Sequence, residues 1–434
     1  MNTVLVFCVV SFTLSIDYSL GLISTQSYWI NAGGSKSLSG LVFGLYDGIP
    51  IILTLPMAWL CDTGRLSYKK VIMCCLLINI IGNILYGSAS IAKSWVMILI
   101  GRTIAGIGGT CLPLLMSYVA DKIPRNEQQK TIGYIKYTAA LSRSIGPVLG
   151  SIFSSYVPDK GLFNLYTLVG WIPVVFGIIS MVVVFFWKEC GGGSYNGWSG
   201  ESGVDTLSLF IPFWIIGFVS TLVYWYFVGN IFIIGTHYFK IVHNSSELGR
   251  LYYAGLGGFV IAFIIFFCFK NTLSSCRGLV TSTVLFCLTI WIFVISNNDV
   301  VFYIAVGFAT CAYGLTIPSI NYLNNYLAKH FRGVLKGKFG IFVTALTIFQ
   351  GVARFIGPTL FTLTIHLNEG SDCVLNETQY IISGCKMDNY VSISLAYIIS
   401  SIVIICISVF FAVRIFTNIE KNEATQITPL IQNK

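Results

Sequence analysis

The charged residues Asp17, Asp47, Arg102, Arg143 and Arg354 stand inside stretches otherwise apolar enough to cross a lipid bilayer. Ionised groups at that depth are costly, so they face a protein interior or a water-filled cavity, where they exchange protons, hold ions or bind one another. With a rise of about 1.5 Å per residue, Asp17 lies roughly 20 Å in from the side on which the chain begins. Asp47 and Arg102 lie roughly 10 to 15 Å down from the opposite side, and Arg143 roughly 20 Å up its own span. Within a core of about 30 Å these residues share one layer, where two acids and two bases can neutralise one another. A carboxylate in such a pair can take up a proton when its arginine is withdrawn. The same charges can also form a static lattice that ties helices together.

Arg354 is placed differently. No acid falls at membrane depth in the second part of the chain, because Asp299 opens a span and the other carboxylates there lie in loops. Such an arginine invites an anion, caps carbonyls freed by Gly357-Pro358, or pairs with an acid from the first part. Lys136 also falls within a predicted helix. The run Tyr224-Trp225-Tyr226-Phe227 with Asn230 offers aromatic and amide surface for a cavity or for packing.

The elements that must position these groups follow from composition. The 434 residues are 55% hydrophobic and only 10% charged, with a mean hydropathy of +0.79. That excludes an ordinary soluble domain. At about 20 apolar residues per span the chain divides into roughly twelve: 3–25, 38–60, 70–90, 95–119, 131–155, 163–187, 207–235, 250–269, 277–296, 299–324, 338–365 and 390–415. The first is expected to be retained rather than cleaved, since no basic residue precedes Lys36 and the segment continues to Thr25.

The chain also repeats itself. Arg143-Ser-Ile-Gly146-Pro147-Val-Leu149 returns as Arg354-Phe-Ile-Gly357-Pro358-Thr-Leu360. The segment Lys188 to Asp205 is glycine-rich and polar and reads as a linker. It contains no Gly-Lys-Ser/Thr, so it is not a phosphate loop. The expected organisation is all-α: a six-helix bundle over 1–187, a linker over 188–207, a second six-helix bundle over 208–416 and a tail over 417–434. Gly106 and Gly108 in span four, and Gly146 and Gly150 in span five, allow close helix contact.

Orientation follows from charge. Arg65, Lys69, Lys70, Lys122, Arg125, Lys130, Lys188, Lys270, Arg277, Lys329, Arg332, Lys336, Lys338, Arg414, Lys421 and Lys434 fall on one side of the predicted spans, against Lys36, Lys93, Lys160, Lys240, Arg250 and Lys386 on the other. The positive-inside rule then places both termini in the cytosol. The net charge of +9 is thus a matter of topology and needs no nucleic-acid partner. Sequons at Asn244 and Asn376 fall on the opposite side, as do Cys373 and Cys385, whose spacing suits a disulfide in an oxidising lumen. The histidines show no metal-ligand spacing, and no nucleophile motif is present.

These features resemble the major facilitator superfamily over essentially the whole chain. Ala58-Trp-Leu-Cys-Asp62-Thr-Gly-Arg65-Leu-Ser-Tyr-Lys69-Lys70 is similar to that family's cytosolic gate motif, with Ala58 for the leading glycine and extra residues before the basic pair. Arg102-Thr-Ile-Ala-Gly106-Ile-Gly108 resembles its fourth-helix motif, and Ser142-Arg143-Ser-Ile-Gly146-Pro147-Val-Leu-Gly150 its fifth-helix Gly-Pro motif. Asp17-Tyr18, Tyr28-Trp29 and Arg-x-x-Gly-Pro in both parts look most like the endolysosomal and vacuolar branch, which contains the ceroid-lipofuscinosis facilitator protein and SPX-linked vacuolar carriers.

The resemblance implies a secondary transporter, not an enzyme. It would work by alternating access on a small polar or anionic solute, coupled to protons, in an endolysosomal, vacuolar or plasma membrane. It implies a monomer in the bilayer without cofactor or metal. A channel-like anion conductance, and a sensor or scaffold that keeps the fold without transport, remain the alternatives.

Overall fold

The computed structural model describes residues 2–34, 39–156, 163–189, 206–228, 245–268, 299–330, 339–368, 374–376 and 381–383, with scattered positions between 279 and 285 and between 403 and 414. The helices are α1 (Thr3–Asn31), α2 (Ser39–Asp62), α3 (Tyr68–Ala92), α4 (Trp95–Gly109), α5 (Cys111–Lys122), α6 (Arg125–Tyr156), α7 (Leu165–Phe186) and α8 (Thr206–Val228). They continue with α9 (Ser245–Cys268), α10 (Asp299–His330) and α11 (Phe339–Asn368). Thr3–Gly21, Gly44–Cys61, Tyr68–Ala92, Trp95–Lys122, Tyr166–Phe186 and Val300–Ala328 are, among the described residues, long and apolar enough to cross a membrane.

The fourth predicted span is broken into α4 and α5 at Thr110. Pro113 lacks the N–H that would bond the Gly109 carbonyl, so the ladder is interrupted there. The Gln128 side chain donates to the carbonyls of Val119, Ala120 and Ile123 at 3.2, 3.1 and 2.9 Å and so covers the end of α5. The all-α expectation holds for the described elements that carry the fold. A short antiparallel ladder, β1 (Val374–Asn376) with β2 (Ile381–Ser383), pairs Leu375 with Ile382 in the loop after α11.

Within the first part of the chain α1 lies along α6, and α3 packs against α4 and α7. Across the chain, the seams are α2 with α11 and α6 with α9. Small residues permit the first seam: Gly44 and Gly48 of α2 both face the ring of Phe355 on α11, and any side chain at Gly44 would strike it. In the second seam the Tyr137 hydroxyl donates to the Ala262 carbonyl at 3.1 Å. Close approach also explains glycines picked out by pattern. A Cβ at Gly106 would lie 3.0 Å from the Tyr46 carbonyl, and one at Gly108 2.7 Å from the Cys75 carbonyl. One at Gly146 would lie 2.8 Å from the Leu20 amide. Gly150 and Gly357 are buried.

Candidate functional site

The intramembrane charges do not form one lattice. They divide between a sealed network and an open cavity.

In the sealed network Asp17 is fully buried. Its Oδ1 accepts from Arg102 at 3.2 Å. Its Oδ2 accepts from the side-chain amides of Asn79 and Asn83, each at 2.8 Å, and from the Tyr46 hydroxyl at 3.0 Å. Arg102 also donates to Thr25 at 3.2 Å and lies over the Tyr86 ring at 4.5 Å. Asn79 and Asn83 stand one turn apart on α3, so both amides reach the same carboxylate oxygen. Gly21 leaves room for the Arg102 guanidinium, which a side chain there would displace.

The cavity lies between α1, α2, α5 and α6 on one side and α8, α9, α10 and α11 on the other, with about 1520 Å³ of empty space when the part open to solvent is counted. Its charged lining is Asp47, Lys136, Arg143 and Arg354. Asp47 Oδ1 accepts from Arg354 Nε at 3.2 Å, across the α2–α11 seam. This corrects the single-layer expectation, in which Asp47 is neutralised by Arg102 or Arg143. It also selects, from the options for Arg354, pairing with an acid of the first part. Helix depth had placed Asp47 beside the right layer, but only the seam decides which arginine faces it.

Arg143 has no carboxylate partner among the described residues, and its guanidinium lies over the Tyr18 ring at 5.7 Å. Lys136 stands two turns before Arg143 on α6, lines the same cavity, and lies within electrostatic range of both Arg143 and Arg354. Sequence reasoning counted Lys136 but gave it no role. Its seven-residue offset from Arg143 puts both on one helix face and was the available signal. Asn79, Asn83 and Tyr46 were missed as well, although the Asn-x-x-x-Asn spacing in an apolar span pointed to a shared partner.

Aromatic side chains complete the wall. Tyr18 meets Trp225 edge to face at 5.5 Å, and Tyr224 stacks on Tyr313 at 3.9 Å. Several polar atoms of the lining are buried without a hydrogen-bond partner among the described residues: Asp47 Oδ2, Thr54 Oγ1, Arg143 Nε, Trp225 Nε1, Thr347 Oγ1 and Gln350 Nε2. Buried polar groups are nearly always satisfied. A cluster of unsatisfied ones around a cavity marks a place for water or a ligand.

Other expected site residues fall elsewhere. Lys69 donates to the carbonyls of Phe185 and Trp187 at 2.8 and 2.6 Å, covering the end of α7. Arg65 lies over the Trp59 ring at 4.8 Å, and Lys70 is exposed. The described contacts of Arg65 and Lys69 are thus to the first part of the chain. The side chains of Asp62, Tyr226 and Pro358, and all of Asn230, Asn244, Cys373 and Cys385, lie outside the described residues. Asn376 is described as the end of β1.

Long apolar helices gathered around a cavity of aromatic and aliphatic walls with a few charged side chains define a polytopic membrane transport protein. The family described as the Major Facilitator Superfamily matches residues 5–358, and the chain belongs to it. An uncharacterized transporter of Buchnera aphidicola subsp. Schizaphis graminum is 31% identical over 188 residues, which are 43% of this chain and 44% of that protein. An SPX domain-containing membrane protein of Arabidopsis thaliana is 25% identical over 161 residues, 37% of this chain and 22% of its own length. The matched region therefore spans less than half of either relative. Among solved structures, the transporter FucP in its outward conformation aligns with a TM-score of 0.68 at 14% identity, covering 95% of this chain and 99% of FucP. The human organic anion transporter MFSD10 aligns at 0.65 and 13% identity, covering 94% of this chain and 97% of its own. Those likenesses establish the twelve-helix superfamily fold.

Proposed function

We propose that the chain is a proton-coupled secondary carrier that moves a small anionic or polar solute through the central cavity by alternating access. The observation that carries this reading is the Asp47–Arg354 pair, which joins two helices on opposite sides of the cavity and leaves Asp47 Oδ2 without a hydrogen-bond partner among the described residues. A proton reaching Asp47 from the cavity neutralises the acid and frees Arg354. That loosens the α2–α11 seam and leaves a cation for the solute. Asp17 is the poorer candidate for coupling, because a proton there must displace Arg102, Asn79, Asn83 or Tyr46 from a fully enclosed carboxylate.

The two sides of the cavity rock as units of 1–187 and 208–416 joined by the 188–207 linker, with Asp62 and the basic residues after it at the cytosolic gate. The charge bias and the sequons support a protein with cytosolic termini and lumenal Asn244 and Asn376 in an endolysosomal or vacuolar membrane.

Purified protein in liposomes tests the reading with a panel of small radiolabelled anions, with and without a pH gradient. Saturable uptake that accelerates with unlabelled solute on the far side is the expected result. Asp47→Asn should retain exchange while losing accumulation driven by the pH gradient. An ohmic current without counterflow would replace the carrier by a channel.

A further inference from the structure

The cavity holds more positive charge than its own acid can balance. Asp47 pairs with Arg354, which leaves Lys136 and Arg143 without a carboxylate in ion-pair contact among the described residues. Both project from one face of α6 into the same space, about two helical turns apart. Two basic side chains in a site walled by helices are costly to charge unless an anion joins them.

The unsatisfied atoms of the wall agree in sign. Arg143 Nε, Trp225 Nε1 and Gln350 Nε2 can only donate, Thr54 and Thr347 are hydroxyls that can donate, and Asp47 Oδ2 is the single obligate acceptor. An occupant rich in acceptors would satisfy them. The rest of the wall is aromatic: Tyr18, Trp225 and the parallel Tyr224–Tyr313 stack, with Phe259 beside Tyr224 at 6.3 Å. Such surfaces take flat apolar groups.

We propose that the cavity binds a doubly charged organic anion with a flat apolar body, its charge held between Lys136 and Arg143 and its body against Tyr18, Trp225 and Tyr224. Lys136 is then the residue that distinguishes a dianion from a monoanion. The inference rests on the reading of this cavity as the solute path, and adds to it the charge and shape of the solute.

Phenyl phosphate and benzenesulfonate supply the test, because they share a ring and a tetrahedral head but differ in charge. The second ionisation of a phosphate monoester falls near pH ~6, so phenyl phosphate is a dianion at pH 8 and a monoanion at pH 5. Binding of each to purified full-length protein in nanodiscs is measured by calorimetry. At pH 8 the wild type should prefer phenyl phosphate by about tenfold or more, equivalent to about 1.4 kcal/mol.

Lys136→Gln should bring the ratio of the two affinities close to one, and Lys136→Arg should retain the preference. In the wild type the ratio should also fall at pH 5, a measurement that needs no variant to fold. Equal affinities at pH 8, a preference that survives Lys136→Gln, or failure of both probes to bind would overturn the inference. Counterflow of other anions in the liposome assay would still uphold the carrier reading in any of those cases, so the two fail separately.

Discussion

The Asp17 network and the Asp47 cavity use the same chemistry, a carboxylate facing an arginine at 3.2 Å, yet their surroundings differ in every respect that matters. Asp17 and Arg102 belong to helices of one bundle, both are almost wholly buried, and the carboxylate is filled by two amides and a phenol as well. Asp47 and Arg354 belong to helices on opposite sides of a cavity, and one oxygen of the pair is left over. A buried polar network that is satisfied stiffens what holds it, while unsatisfied polar atoms around a cavity leave a place for water or a ligand. The contrast teaches that two carboxylate–arginine pairs at similar membrane depth can differ in hydrogen-bond saturation, and the proposed division into a structural pair and a coupling pair rests on that difference.

The sharpest way to break the comparison is to remove Asp17. Asp17→Leu leaves Arg102 buried without its partner and should cost about 3–5 kcal/mol, read as unfolding in mixed detergent micelles. Adding Arg102→Leu should recover a large part of that loss. A stable single variant would show that the network does not hold the bundle.

A smaller loss is expected when one donor goes. Asn83→Ala removes a hydrogen bond to a charged acceptor and should cost about 1.5–3 kcal/mol by the same measurement, with exchange activity retained in whatever protein folds. Gly21→Ala forces the Arg102 guanidinium aside from a position fixed by Asp17 and Thr25, and about 1–3 kcal/mol is expected.

The cavity should behave in the opposite way. Gln350→Leu should shift stability by about 1 kcal/mol or less, since Gln350 Nε2 has no hydrogen-bond partner to lose among the described residues, and Asp47→Asn, which keeps a polar side chain of the same shape facing Arg354, should cost less than Asp17→Leu. Asp47→Asn should nevertheless abolish accumulation driven by a pH gradient in liposomes. If Asp47→Asn is as damaging to folding as Asp17→Leu while leaving coupling intact, the two regions have been assigned the wrong way round.

Much of this was legible from residue order alone. Apolar runs of bilayer length predict helices because backbone groups in lipid can be satisfied only within the chain. The described boundaries of α2, α3, α6 and α7 accordingly fall close to the predicted spans. The Arg-x-x-Gly-Pro repeat and the glycines of spans four and five were readable because close helix contact demands small residues whatever the neighbour is. Depth along a helix was readable too, since rise per residue is constant, and it placed the charged residues near one level.

Rotation and neighbour choice were not readable. Whether Asp47 meets Arg102, Arg143 or Arg354 depends on which face of α2 turns toward α11, and that is set by packing such as Gly44 and Gly48 against Phe355, more than 300 residues away in the chain. The lack of a carboxylate ion-pair partner for Lys136 and Arg143 among the described residues is likewise a property of the assembled bundle. Local sequence determined the spans, their depth and their small-residue contacts because these depend on the bilayer and on helix geometry. Only the tertiary structure decided which charges are neutralised and which remain open to a solute, because pairing depends on contacts between helices far apart in the chain.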